Sequence, residues 1–164
     1  MVADMTLRFG AFRVPTTVHW PRVDTVSLAL VLGDELSPTD RWFETSIAVG
    51  LGAGNPAEVE LAALRWVAEH SGELGADCDR IVVAGGARAA RLALAARDGA
   101  WPVVWRQLLI HPRFTSEQPM PNNVALAPTA IVVCGDRHDD GRLYSDRLRA
   151  AGVHVHEVYD DDRG

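Results

Sequence analysis

The sequence predicts an α/β protein with a mainly parallel sheet flanked by helices. Apolar runs of strand length, at 26–32, 81–83 and 129–134, alternate with longer segments whose apolar residues recur every three or four positions. Uninterrupted apolar runs are typical of strands buried on both faces, and strands that alternate with helices favour parallel pairing. A chain of 164 residues can bury roughly 70% of its unfolded surface. We therefore expect a single domain over 1–164.

The first half of the chain shows the alternation clearly. Loose alternation before Pro15 predicts an edge hairpin, and 26–32 is the first buried strand. Asp40 is expected to cap a short helix. A strand over 46–49 and a helix over 56–74 that ends at Gly75 are predicted next. Strands over 107–110 and 129–134 follow. The last elements are an amphipathic helix and a half-buried strand over 153–159. The apolar side of that helix is expected to carry Leu143, Tyr144, Leu148 and Ala151.

The segment 79–97 organises the rest of the chain. It joins a buried strand to an alanine-rich helix through Gly85 and Gly86. In enzymes built this way, the sharp turn exposes a nucleophile above the carboxyl edge of the sheet. The apex is predicted to be Ala87, whose side chain can neither attack a carbonyl nor be activated by a base. The sequence thus presents a nucleophile turn without a nucleophile.

Composition excludes several classes of function. The formal net charge of −6 argues against a nucleic-acid surface, which needs clustered positive charge. Two cysteines without metal-ligand spacing predict a reduced, cytoplasmic protein. The sequence has no apolar run long enough to span a membrane and no signal-like start, so no membrane association is expected.

Three other motifs are candidate sites. The loop 50–56, GLGAGNP, departs from the spacing of a phosphate-binding loop and is interpreted as a connection between a strand and a helix. Cys134 with Asp136 and His138 forms a possible thiol site, but Cys134 ends a buried strand and is interpreted as a structural thiol. His154 and His156 share a strand face at a usable metal spacing; no further ligands converge on them, so no metal is predicted.

Several ordered segments resemble the bacterial hormone-sensitive-lipase-like esterases of the α/β-hydrolase superfamily. The matching stretches are 62–70, 73–75, 79–85, 108–112, 127–129 and 140–153. The resemblance extends over 57–158, while the first quarter of the chain is less similar. It implies a shortened α/β-hydrolase fold.

The same resemblance indicates which catalytic groups are missing. The family's G-D-S-A-G-G elbow corresponds to 85–90, which places Ala87 where the family has its nucleophilic serine. Arg88 replaces a small residue whose backbone amide serves the oxyanion hole, and the elbow's helix-facing glycines are gone. The family's H-G-G-G loop has no counterpart after 26–32.

The other two members of the triad follow later strands in the family. Asp136 corresponds to the acid. The histidine is expected after 153–159, where the sequence is Asp160-Asp161-Asp162-Arg163-Gly164. Nucleophile, base and oxyanion stabilisation are thus expected to be lost together.

These losses predict a degenerate esterase-like protein, without serine-hydrolase activity, that acts by binding. The vestigial site consists of Gly85, Gly86, Ala87, Arg88 and Asp136. Arg88, near a helix N-terminus, is expected to attract a small anionic or acyl ligand. No cofactor is expected.

Two alternatives stay open. The chain could be an active hydrolase of an ester or small metabolite with relocated catalytic residues, for which Cys134 and His138 are the candidates. It could also be a structural subunit of an oligomer, in which a second copy or another protein covers the edge of a shortened sheet.

Overall fold

A single eight-stranded sheet forms the centre of the protein. The structure is a computed structural model and describes residues 1–25, 27–33, 36–135 and 139–159. The strands are β1 (Val2–Phe9), β2 (Phe12–His19), β3 (Ser27–Leu32), β4 (Ser46–Leu51), β5 (Ile81–Gly85), β6 (Arg106–Ile110), β7 (Thr129–Cys134) and β8 (Val155–Tyr159). Their spatial order is β1-β2-β4-β3-β5-β6-β7-β8.

The sheet is antiparallel at one end and parallel elsewhere. β2 pairs antiparallel with β1 on one side and with β4 on the other. Every further pair of neighbouring strands, from β4 to β8 in the spatial order, is parallel. The parallel strands therefore bring their carboxyl ends to one edge, where ligands of open α/β sheets bind. The elbow after β5 lies at this edge.

Three helices cover one face of the sheet: α1 (Ala57–Leu74), α2 (Ala87–Asp98) and α3 (Asp140–Ala150). Their apolar residues form one core cluster with alternate residues of the strands, such as Leu30, Val83 and Val132. Each of these three side chains is fully buried. Gly75 ends α1 with a φ of 93°, a left-handed conformation that glycine adopts without steric cost.

The opposite face has a smaller core cluster. Ala29, Val31, Ala84 and Leu108 contribute to it from the strands, and Phe43 covers part of it from a short 3-10 helix over Arg41–Phe43. This cluster contains no residue of α1, α2 or α3. The two faces of one sheet therefore differ in what covers them.

The structure confirms the predicted fold class and most of the predicted elements. The N-terminal hairpin is present, and β7 has the predicted bounds. The loop 50–56 begins inside β4 and leads into α1, as its interpretation as a connection requires. In the described part of the chain, no helix is long and apolar enough to cross a membrane.

Two local predictions were wrong. Asp40 occupies the position before the short helix, but its carboxylate accepts a hydrogen bond from the backbone N–H of Ser37 (2.8 Å) and caps nothing in the helix. Leu143 and Ala151 were predicted on the apolar side of α3, yet Leu143 is 57% exposed and Ala151 is exposed at the C-cap after the helix. Tyr144 and Leu148, one and five positions on, form the buried side instead.

Candidate functional site

The elbow has the strand–turn–helix form that the sequence predicted. β5 ends at Gly85 and α2 begins at Ala87, with Gly86 at the helix N-cap. Gly85 has a φ of 151°, and a Cβ there would lie 2.9 Å from the carbonyl oxygen of Leu32. A glycine is therefore required at this position, because β3 approaches the turn too closely for a side chain.

Ala87 is the first residue of α2 and lies at the place where such an elbow presents its nucleophile. Its side chain is almost buried, at 7% exposure, and lines a pocket above the sheet edge. A methyl group offers no atom that can attack an acyl carbon. In its place the turn supplies a small apolar surface to whatever enters the pocket.

The pocket has a volume of about 400 Å³ and lies at the carboxyl ends of β3, β5 and β6. Leu36, Ile110 and Ala87 give it an apolar lining. Arg88, His111, Arg113 and Gln118 also line it. Its size and mixed lining are those of a site for a small molecule with one apolar and one polar part.

Arg88 was expected to attract an anion, but its guanidinium binds groups of this chain. It donates to Glu60 Oε1 from Nε (3.1 Å) and from Nη2 (2.8 Å), and Nη2 also donates to the carbonyl oxygen of Asn55. Burial raises the pKa of Glu60, and the charge of Arg88 opposes that rise. The Arg88–Glu60 pair therefore ties α2 to α1, and the positive charge of Arg88 is balanced by a carboxylate of this chain.

The predicted residues Asp136 and His138 lie outside the described residues. The neighbouring Asp139 is the N-cap of α3, where its side chain accepts from the N–H of Gly141 (2.8 Å) and also from that of Gly135 (2.6 Å). This carboxylate therefore fixes both the end of β7 and the start of α3.

Sequence reasoning missed His111 as a candidate site residue. It follows β6 and lines the pocket, and its Nδ1 lies 3.6 Å from Oδ2 of Asp139. The available signal was its position directly after a predicted strand, because parallel strands place such residues beside the elbow. A histidine beside a carboxylate is an arrangement used by general bases. The Nε2 atom of His111 is buried, however, which restricts its access to water.

Cys134 has the properties of a structural thiol. Its side chain is fully buried at the end of β7. Burial, together with the charges of Asp139 and Glu157, raises the pKa of the thiol to about 11. The reactive form of cysteine is the thiolate, so this environment opposes the use of Cys134 as a nucleophile near neutral pH.

The two histidines considered for metal binding lie apart from the pocket. His154 directly precedes β8 and His156 lies within it, and both are exposed. Among the described residues, one group of three such side chains has its possible ligand atoms close together: Asp77, Cys78 and Asp79, which are all exposed. The structure therefore brings together the Gly85–Arg88 elbow and His111, and it leaves His154 and His156 at the surface.

The fold is that of the α/β-hydrolases. Among solved structures, the thermostable carboxylesterase EstE1 from a metagenomic library has a TM-score of 0.80 and 21% identity over 98% of this chain and 78% of its own. A hyperthermophilic esterase from the archaeon Pyrobaculum calidifontis has a TM-score of 0.78 and 21% identity over 98% of this chain and 75% of its own.

Curated relatives give the family. Esterase LipI of Mycobacterium tuberculosis is 45% identical over an alignment of length 83 that covers 47% of this chain and 26% of LipI. Carboxylesterase NlhH of the same species is 32% identical over 149 aligned residues, which cover 75% of this chain and 47% of NlhH. No family model matches the chain. The chain belongs to the hormone-sensitive-lipase-like esterase family, and it spans about half the length of NlhH.

Proposed function

We propose that this protein is a member of the esterase family that binds a small acyl-containing molecule above the elbow and does not hydrolyse it by serine chemistry. One observation carries the proposal: Ala87 stands at the first position of α2, on the lining of a pocket of about 400 Å³. The site keeps the shape of the family's elbow while its nucleophile position holds a methyl group.

The pocket lining supports an acyl group better than a highly charged anion. Leu36, Ala87 and Ile110 are apolar, and the charge of Arg88 is balanced by Glu60. Arg113 is exposed and lines the same pocket. A short acyl chain would contact the apolar residues, while a polar head group would face Arg113 and solvent.

A paired assay tests the chemistry. The natural chain and an Ala87→Ser variant are incubated with short-chain acyl esters and with a fluorophosphonate probe. We expect neither turnover nor labelling of the natural chain. Turnover by the natural chain that is lost in His111→Ala would contradict the proposal and would identify His111 as part of a relocated site.

A second assay tests binding. Butyrate and ethyl butyrate are added to the protein during thermal unfolding, because a ligand that binds only the folded state raises Tm. An Ala87→Leu variant, which fills part of the pocket, is expected to abolish the rise. Ala150→Leu makes the same change at an exposed position and is expected to preserve it. No rise in the natural chain, or a rise that Ala87→Leu leaves intact, would refute binding of this class at the elbow.

A further inference from the structure

A groove between two tryptophans lies on the sheet face that the three helices do not cover. Trp42 and Trp105 line a cavity of about 180 Å³, together with Val82, Leu108 and Ile131 of the sheet. We call this feature the tryptophan groove. It is separate from the pocket above the elbow, since the two share no lining residue.

Arginine side chains lie over the rings of both tryptophans. The guanidinium carbon of Arg41 lies 5.1 Å from the ring centre of Trp42. Those of Arg80 and Arg106 lie 5.6 Å and 3.9 Å from the ring centre of Trp105. The carboxylate of Asp79, next to Arg80 in the chain, lies beside the thiol of Cys78 (3.9 Å). Three guanidinium groups therefore lie at the rings of this groove, on a chain whose net charge is −6.

The surface around the groove is apolar and only partly covered. Val82, Ile110, Ile131 and Val158 pack against the smaller core cluster, and each keeps part of its surface exposed. They belong to parallel strands, which in other proteins are covered on both faces. The element that usually covers the face of such a sheet is a helix.

We propose that the tryptophan groove binds an amphipathic helix of another protein. One large apolar side chain of that helix would enter the cavity between Trp42 and Trp105, as an anchor residue does in a helix-binding groove. Acidic residues along one flank of the helix would face Arg80 and Arg106. This charge complementarity sets the orientation of the helix and the class of partner.

A second copy of the chain fits the groove less well. Two copies that meet through the same face bring arginines towards arginines, and like charges disfavour association. The helices α1, α2 and α3 already bury their apolar sides against their own sheet. In the described ranges, therefore, no helix presents a free apolar side to the groove of a second copy.

Designed peptides test the proposal directly. The first is a fluorescein-labelled amphipathic helix of about 16 residues, roughly 24 Å long, with leucines on one side and glutamates along its flanks. The second has lysine at every glutamate position, and the third is a scramble of the first without an apolar side. The overall charge of −6 favours the lysine peptide. Stronger binding of the glutamate peptide therefore reports the local charge of the groove.

We expect fluorescence anisotropy to show that the glutamate peptide binds at least about tenfold more tightly than the other two, with an affinity that falls as salt is added. Replacement of both groove arginines, Arg80→Glu with Arg106→Glu, is expected to weaken this binding by about tenfold or more. Arg65→Glu makes a charge reversal at an exposed position on α1 and is expected to leave it unchanged.

Circular dichroism checks that each variant is folded. If the double variant fails to fold, the salt dependence and the peptide preference of the natural chain decide the question alone. Equal binding of the glutamate and lysine peptides, no binding of either, or unchanged binding in a folded double variant would each overturn the proposal. A dimer in analytical ultracentrifugation that Arg106→Glu dissociates would assign the face to a second copy instead and would also overturn it.

Discussion

The two faces of the sheet are built from the same strands but differ in how they are covered. Ile81 and Val83 of β5 point to the face beneath the helices and are 1% and 0% exposed. Their neighbour Val82 points to the other face and is partly exposed beside the tryptophan groove. A strand offers apolar side chains to both faces by alternation, so burial on each face depends on which elements the rest of the chain places there.

The two layers also differ in the polar contacts that hold them. The helical layer contains the Arg88–Glu60 pair between α2 and α1. On the other face, Arg80 and Arg106 lie over the ring of Trp105. In one layer the charges stabilise contacts already made within the chain. In the other, the charges lie over an aromatic ring on a face that the helices leave uncovered.

Truncation of one leucine on each face of the sheet gives the largest expected change in the free energy of unfolding. Leu30→Ala beneath the helices is expected to lower the free energy of unfolding by about 3–5 kcal/mol, because the enclosed site collapses little around the cavity. Leu108→Ala on the opposite face is expected to cost about 2–3 kcal/mol, because the adjoining groove lets the surroundings relax. Urea unfolding followed by circular dichroism measures both. Equal losses would show that the two faces are equally enclosed.

Removal of one partner of the ion pair in the helical layer is expected to cost less free energy of unfolding than the leucine truncation beneath the helices. Arg88→Ala leaves Glu60 with a side chain only 7% exposed and no counter-charge. We expect a loss of about 2–3 kcal/mol at neutral pH, since Arg88 itself is 29% exposed and a fully buried pair would cost more. Arg65→Ala, an exposed change on α1, is the control and is expected to have little effect.

The same variant has a defined pH dependence. Burial holds the folded-state pKa of Glu60 above its ordinary value of 4.5, and the loss of Arg88 removes a charge that lowers it. The folded state then binds more protons than the unfolded state, so stability is fully present below pH 4.5 and is lost as the pH rises through the folded-state pKa. Arg88→Ala should therefore lose more stability than the natural chain when the pH is raised from 4.5 to neutral. An identical pH profile would contradict this account of the pair.

The smallest expected effect is a difference in thiol reactivity. Cys134 lies buried in the helix-covered core and has a pKa of about 11, whereas Cys78 is exposed. Because the thiolate is the reactive form, a thiol reagent at neutral pH should label Cys78 in the folded protein and reach Cys134 only after unfolding. Cys78→Ser and Cys134→Ser variants assign the label. Rapid labelling of Cys134 in the folded chain would mean that the core beneath α3 is open to solvent.

Local sequence signals were sufficient for most of the fold. The apolar run 129–134 became β7 with the same bounds, and Gly75 ended α1 as predicted. Gly85 and Gly86 marked the turn into α2. These predictions depend on periodicity and on backbone freedom, which act over a few neighbouring residues. The prediction for Asp40 failed because its carboxylate accepts a hydrogen bond from the N–H of Ser37 and makes no cap hydrogen bond to the helix.

The candidate site was only partly predictable. The sequence placed Gly85, Gly86, Ala87 and Arg88 at one turn, because they are adjacent in the chain. It did not show that Arg88 binds Glu60, which lies 28 positions away, or that His111 approaches Asp139. Such contacts depend on how α1, α2 and the ends of β6 and β7 are arranged, and no local pattern encodes that arrangement.

By itself, the sequence determined the order of strands and helices, the tight turn before α2 and the absence of a nucleophilic side chain at Ala87, because each follows from residue type and short-range spacing. Only the tertiary structure decided which face of the sheet the helices cover, that Arg88 is paired with Glu60, and that Trp42 and Trp105 line one groove. Residues distant in the chain come into contact only in the folded sheet, so their burial and their charge interactions depend on the tertiary structure.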